Sequence, residues 1–358
     1  MRQRLFRNLS GTDLFMYFIG ATIILAVIYG SIVTLASGKY STENWLDFIV
    51  FGLAQGGVYA LIALGYTLVY GILFIVNFAH GEVFMAGAFT GYFVAEAFFQ
   101  AGYFRDPNIN LKDLGALGVV LIVCTTVSIV VAVILERVAY RPLRRAPRLV
   151  PLITAIGASY FLQYTFRGFY GSGVKTYPDV AMLKGEITIF GIEILKTQAV
   201  VIVLALVMMV GLYWYVQLTK TGKAMRSVAE DKDVSSLMGI DVDWVIVITF
   251  VVGAAMAGVA ALLYALMFRQ VGFRMGFIPG LKAFTAAVLG GIGNIPGAML
   301  GGFFLGIVEA LGPSLFLEGL GIDAAYQLKD VIAFTMLVLV LIFRPSGILG
   351  ERITEQKA

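Results

Sequence analysis

The chain has 358 residues, of which 59% are hydrophobic and 13% charged, with a formal net charge of +4 and a mean hydropathy of +0.90. Soluble domains carry about 25% charged residues, so this composition excludes an ordinary water-soluble protein. The basic residues cluster between apolar runs, which argues against nucleic-acid binding, and the lone Cys124 excludes a disulfide within the chain.

A helix needs about 20 apolar residues to cross a bilayer. After the basic start MRQRLFRN, residues 14–36 form an apolar run of 23 residues. That is longer than the roughly 7–15 residues of a signal-peptide core, so it predicts a retained first span. Further spans are predicted at 46–70, 81–100, 115–135, 149–169, 199–217, 244–268, 297–316 and 327–343. The Gly- and Ala-rich piece 279–290 is shorter and predicts a broken or re-entrant helix. The fold class is therefore all-α: a polytopic membrane bundle of about ten transmembrane or half-spanning helices. Cys124 falls inside a span as a small lipid- or core-facing residue.

Lys and Arg set the orientation. The loop ERVAYRPLRRAPR (136–148) holds Arg137, Arg141, Arg144, Arg145 and Arg148, and the N-terminus adds Arg2, Arg4 and Arg7. The 217–243 loop contributes Lys220, Lys223, Arg226 and Lys232, and the C-terminus Arg344, Arg352 and Lys357. All four groups share one side when the spans alternate, so both termini are expected in the cytoplasm. The Gly pairs Gly52/Gly56, Gly87/Gly91, Gly297/Gly301 and Gly302/Gly306 predict close helix contacts in lipid. An internal echo is expected between residues 71–91 and 288–306, each with an interrupted apolar segment, an Asn and a following Gly. Such interruptions in two halves point to a substrate path.

The only histidine, His80, stands in FIVNFAHGEVF (74–84) between Asn77 and Glu82. Asn77 and His80 share a face if the backbone there is helical, and Gly81 permits a break that exposes the free amides of the next helix. Ionisable groups at membrane depth usually face a cavity or a partner. Two readings stay open: these side chains line a path, or they satisfy one another and brace two helix ends. No second histidine completes a metal site or a base–nucleophile pair, so neither metal nor catalytic residues are expected.

In TKTGKAMRSVAEDKDVSSLMGIDVD (219–243), Ala224, Met225, Val228 and Ala229 follow helical spacing, as do Val234, Leu237 and Met238. This predicts two short amphipathic helices joined at Glu230, Asp231, Lys232 and Asp233, with Gly222 and Gly239 as boundaries. Acidic groups at 230, 231, 233 and 241 fit a protein partner better than an anionic lipid surface. No G-x-x-x-x-G-K-[ST] occurs, so the chain holds no ATP by that loop.

Five stretches resemble the LivH-type permeases of branched-chain amino acid ABC importers. They are GLAQGGVYALIALGYTLVYGILFIVNFAHGE (52–82), LERVAYRPLRRAPRLVPLITAIGASYFLQ (135–163), TGKAMRSVAEDKDVSSLMGID (221–241), GLKAFTAAVLGGIGNIPGAMLGGFFLGIVE (280–309) and FRPSGILGE (343–351). The resemblance implies a non-enzymatic permease subunit in a bacterial or archaeal inner membrane. A second related permease, two ATP-binding subunits and an extracytoplasmic substrate-binding protein are its implied partners. It binds no cofactor itself, ATP being used by the partner subunits. The chain then divides into an N-terminal extension with the first span (1–45), a permease domain (46–351) and a tail (352–358).

Asn77, His80, Glu82 and Asn294 are the candidate pathway residues. Gly222, Arg226, Glu230, Asp231, Asp233 and Gly239 mark the ATPase-coupling loop. The long first 45 residues and the external 170–198 loop depart from the family's usual pattern. Urea and short-amide permeases share much of it, and an ion-coupled carrier using His80 and Glu82 is the alternative from another class.

Overall fold

The structure is a computed structural model that describes residues 11–350 except 145, 148, 190 and 345; the basic start and the 352–358 tail lie outside the described residues. In chain order the helices are α1 (Gly11–Ser37), α2 (Thr42–Leu73), α3 (His80–Gln100), α4 (Leu111–Leu135), α5 (Leu149–Tyr170) and α6 (Lys196–Leu218). They continue as α7 (Lys220–Glu230), α8 (Lys232–Leu237), α9 (Val242–Phe268), α10 (Phe277–Gly290), α11 (Ile295–Gly312) and α12 (Lys329–Phe343). Among the described residues, nine helical segments are long and apolar enough to cross a membrane, and α10 is the shorter apolar helix. Helix is the form expected, because lipid leaves backbone groups no partner outside the chain.

Polar caps mark where several helices begin. Ser41 and Asn44 form a capping box at α2, Asn110 caps α4 and Asp241 caps α9. On the outer side, β1 (Lys175–Thr176) pairs antiparallel with β4 (Gln270–Val271), and β2 (Glu186–Ile189) forms a hairpin with β3 (Ile192–Leu195). The 170–198 loop is thereby partly ordered. On the inner side, Arg144 bridges the buried Glu136 to Asp243, and Arg141 meets Asp243 at 2.5 Å. Two arginines of the basic loop thus bind the end of α4 to the start of α9.

Glycine decides the packing. α11 runs antiparallel to α2, so Gly52 lies on Ile307, Gly56 on Gly302 and Phe303, and Gly302 on Ala60. Two of the predicted Gly pairs therefore meet each other across one interface. A Cβ on Gly306 would fall 2.3 Å from the Cα of Gly56, closer than real atoms approach. Gly87 and Gly91 of α3 lie against Ser128 and Cys124 of α4, which buries Cys124 in the core at 1% exposure. α1 packs through Gly30 on the Phe316 backbone and through Gly20 on the Phe343 ring.

The repeat differs from the expected pairing of 71–91 with 288–306. α2 ends on Phe74 (φ 55°) and α9 on Arg269 (φ 54°), each donating its N–H to the carbonyl four residues back. Seven residues beyond these caps come Gly81 and Gly276, which touch each other. The order then repeats. α3, α4, a π-turn, a 3-10 turn and α5 correspond to α10, α11, a π-turn, two 3-10 turns and α12. Because α2 and α9 run in opposite directions, the two halves are inverted, as in other carriers built on broken helices. The Asn-plus-Gly echo mixed two unlike devices, a re-entering stretch at Asn77 and a helix cap at Asn294.

The α2–α11 contact is open to a direct check. Gly306→Val is expected to destabilise the protein by about 1–3 kcal/mol through overpacking, lowering the thermal unfolding midpoint in detergent. Gly115→Ala, where nothing lies within 4 Å, should leave it unchanged. Equal midpoints for the two variants would refute the close contact.

Candidate functional site

The interruption at residues 74–79 is a re-entry. Beyond Phe74 the chain turns back along α2, and α3 begins with His80 beside Gly65. Gly65 lies eight residues before Leu73, so α3 starts about 12 Å inside the end of α2, at 1.5 Å per residue. Gly65 must lack a side chain there, since a Cβ would sit 2.0 Å from His80 Nε2. The second half does the same from the opposite side, where residues 272–276 lead from β4 to the start of α10. A Cβ on Gly81 would lie 2.4 Å from the Gly276 carbonyl and 3.1 Å from Gly280 Cα. Neither helix start has a side-chain cap. Two helix N-termini therefore meet inside the bundle, with the His80, Glu82 and Phe277 amides donating to the Asn77, Ala79 and Arg274 carbonyls.

Asn77, His80 and Glu82 gather around this crossing, exposed by only 3%, 3% and 1%. The His80 N–H donates to the Asn77 carbonyl at 3.0 Å, but among the described residues their side chains do not bond one another. Asn77 Oδ1 accepts from Tyr140 Oη (2.5 Å) and from the Ala79 N–H (3.1 Å). His80 stacks edge-on against Tyr66, with ring centroids 5.0 Å apart. Glu82 Oε1 accepts from Gln163 Nε2 (2.7 Å) and Ser159 Oγ (3.1 Å), while Oε2 has no partner. The expectation that the three satisfy one another is corrected, because residues 74–79 are not helical and no shared face forms. Each reaches a different element: the turn after α4, α2 and α5.

Asn294 does not join them. It caps α11 by accepting from the Gly297 N–H, and its Nδ2 donates to the Leu349 carbonyl at 2.9 Å. The amides of Ile348 and Leu349 donate to the Leu289 and Gly290 carbonyls. Asn294 thus pins the FRPSGILGE segment under the end of α10.

A second polar cluster was not among the expected site residues. Lys282 Nζ of α10 lies 2.6 Å from Glu309 Oε1 of α11 and 2.6 Å from Asp330 Oδ1 of α12. Gln55 of α2 donates to Glu309 Oε1 (2.8 Å) and to Tyr59 Oη (2.6 Å). Lys282 and Glu309 are 3% and 1% exposed. The signal was present in the sequence, since all three ionisable residues interrupt apolar runs, but only the fold shows that they converge.

At the inner face, α7 and α8 are the two predicted short helices. Gly222 lies inside the first turn of α7, not before it, and its N–H donates to Thr219 Oγ1 at 3.0 Å. Arg226 donates to the Gln217 side chain. Asp231 joins the helices by capping α8, accepting from the Asp233 and Val234 amides at 2.9 Å each, and Glu230 is the last residue of α7. Gly239 (φ 84°) follows α8. Met225 and Val228 are buried against the bundle, whereas Val234, Leu237 and Met238 are 54%, 87% and 79% exposed. Lys232 reaches over the Phe74 ring, and burial together with the nearby Arg144 pushes its ammonium below the ordinary lysine range.

The family profile described as branched-chain amino acid transport system, permease component, matches residues 48–341. BraD of Pseudomonas aeruginosa, a high-affinity branched-chain amino acid transport system permease protein, is 42% identical over 311 residues, 86% of this chain and 96% of its own length. LivH of Escherichia coli K12, described in the same terms, is 42% identical over 316 residues, 87% of this chain and 98% of its own. A probable branched-chain amino acid transport permease protein, LivH of Methanocaldococcus jannaschii, is 26% identical over 291 residues, covering 81% and 88%. No solved structure matches the chain.

The Asn77–Tyr140 bond is testable by a double-mutant cycle read by thermal unfolding. Asn77→Ala and Tyr140→Phe should each cost about 1–3 kcal/mol, the range for a buried polar group left unsatisfied. Together they should cost less than the sum. Strict additivity would show that the two side chains are not bonded.

Proposed function

Because the chain belongs to the branched-chain amino acid transport system permease family, we propose that it is the membrane-embedded permease subunit of an ATP-driven importer of branched-chain amino acids. One observation carries the mechanism: the α7–α8 pair stands at the inner ends of α2 and α9 with Val234, Leu237 and Met238 turned outward. An apolar helix face of this kind, on a chain without a phosphate-binding loop, fits docking into separate ATP-binding subunits. Two such subunits, a second related permease and an extracytoplasmic binding protein complete the proposed transporter in the cell membrane. The external 170–198 segment with its β2–β3 hairpin is the proposed contact for the binding protein.

Gly222, Arg226, Glu230, Asp231, Asp233 and Gly239 shape the coupling pair. Gly222 and Asp231 do so through the backbone, so the docking energy is assigned to the apolar residues of α8. Asn77, His80 and Glu82 act as a gate, holding the α3–α10 crossing to three other elements whose relative motion opens or closes the path. Asn294 serves at a distance by fixing the inner end of α10. The relatives at 41–42% identity are named for branched-chain amino acids, which favours that substrate over urea or amides, and an ion-coupled carrier acting alone is not favoured.

Leu237→Asp leaves the Asp231 cap and the α7 packing intact. It should abolish co-purification of the ATP-binding subunits at unchanged permease yield and stop ATP-driven leucine uptake in proteoliposomes. Normal co-purification would refute the coupling role. Uptake by this chain without the ATP-binding subunits would refute the whole reading.

A further inference from the structure

A cavity of about 410 Å³ opens on the outer side, within the range typical of small-molecule sites. Asp47, Glu186 and Glu193 stand at its walls, and none of them is in an ion pair among the described residues. Phe48, Phe51 and Tyr326 supply aromatic surface. Lys282, Glu309 and Asp330 do not line the cavity themselves, but α2, α11 and the 3-10 turn before α12 each carry a lining residue within four positions of a cluster residue. On α2, Gln55 lies one turn deeper than Phe51. On α11, Glu309 lies one residue deeper than the cavity-lining Ala310. Asp330 of α12 lies one turn deeper than Tyr326.

Formal charges in the cluster do not balance: one ammonium faces two carboxylates. Glu309 is 1% exposed; its Oε1 takes Lys282 and Gln55, while its buried Oε2 has no partner among the described residues. Lys282 also lies over the Tyr59 ring. Asp330 keeps 41% of its side chain exposed, so the cluster is open on one side.

We propose that this cavity and the cluster beneath it form a binding site for the zwitterionic end of an aliphatic α-amino acid within the permease itself. The α-ammonium binds between the Glu309 and Asp330 carboxylates. The α-carboxylate takes Lys282, which turns from one carboxylate to the other. The aliphatic side chain rests on Tyr59, Phe51 and Phe48. The carboxylates at the mouth raise the local concentration of ammonium groups. A two-ended site is selective, since an analogue lacking either end leaves a buried charge unpaired. The assignment rests on the reading of the chain as an amino acid permease and adds where the substrate is held.

The test uses the assembled complex in nanodiscs, with Tyr326→Cys placing a thiol in the cavity wall while the native Cys124 is buried. Maleimide labelling should be slowed by L-leucine, but not by 4-methylpentanoate or 3-methylbutylamine, each of which keeps one end only. Glu309→Gln should remove the protection and lower leucine uptake roughly ten- to a hundredfold. Protection by the amine equal to that by leucine would overturn the two-ended site, and so would normal uptake by Glu309→Gln. If Glu309→Gln fails to assemble, the uncharged triple variant Lys282→Gln, Glu309→Gln, Asp330→Asn decides. Assembly with lost uptake supports the site, whereas restored uptake assigns the cluster a purely structural role. Absence of any branched-chain amino acid uptake by the unsubstituted complex would instead strike at the functional reading.

Discussion

The contact between Gly81 and Gly276 is the constraint from which the rest of the bundle follows. A helix that begins at membrane depth exposes several backbone amides where no water can satisfy them. Two such beginnings are tolerated here because α3 and α10 start against each other, backbone on backbone, and the surrounding helices close over them. Any side chain at either glycine would separate the two starts. The re-entry of residues 74–79 and the descent of residues 272–276 exist to bring them together. From this junction come the inverted order of the two halves and the burial of Asn77, His80 and Glu82.

Charge inside the bundle is handled in two ways. Around α3 the polar groups are shared out singly, each to another element, so that one junction is tied to several helices. Lys282, Glu309 and Asp330 of the second half are instead concentrated in one place with Gln55 of the first, and tie α2, α10, α11 and α12 together. A buried ion pair gives little net stability, because desolvation cancels much of the attraction. Arg144, by contrast, sits at the inner edge, where Glu136 and Asp243 lock one connection to another.

The two faces differ in the same spirit. Outside, short strand pairs and ion pairs such as Lys39–Glu318 and Arg269–Asp179 order the connections into a platform. Glu318 holds the Lys39 ammonium above its ordinary range. Inside, α7 packs on α2, α6 and α9, and α8 leaves an apolar edge free. A device that pushed on α8 would act through Asp231, α7 and the end of α2 upon the re-entrant stretch, along covalently continuous or packed elements. By that route a push on α8 would reach the junction of broken helices.

Much of this was legible in the chain. Composition and run length specified a polytopic helical bundle with a short interrupted piece, because apolar length sufficient to span lipid is written residue by residue. Arginine placement specified the inner side. Spacing in 219–243 specified two short amphipathic helices, since the period of a helix belongs to local sequence. Gly pairs announced close contacts but not their partners, and only the fold showed Gly52 and Gly56 meeting Gly302 and Gly306.

The polar residues divide in the same way. His80 and Glu82 stand out by rarity, so the sequence marked them, but which helix each one holds depends on where the chain re-enters. Asn294 looked like a twin of Asn77 by pattern, yet three dimensions made it a helix cap. Lys282, Glu309 and Asp330 are separated by up to 48 positions in the chain, and no local rule connects them. Covalent order determines how long each helix is and which way it faces; tertiary packing alone decides which distant charges share a site, because electrostatic pairing depends on distance in space and not along the chain.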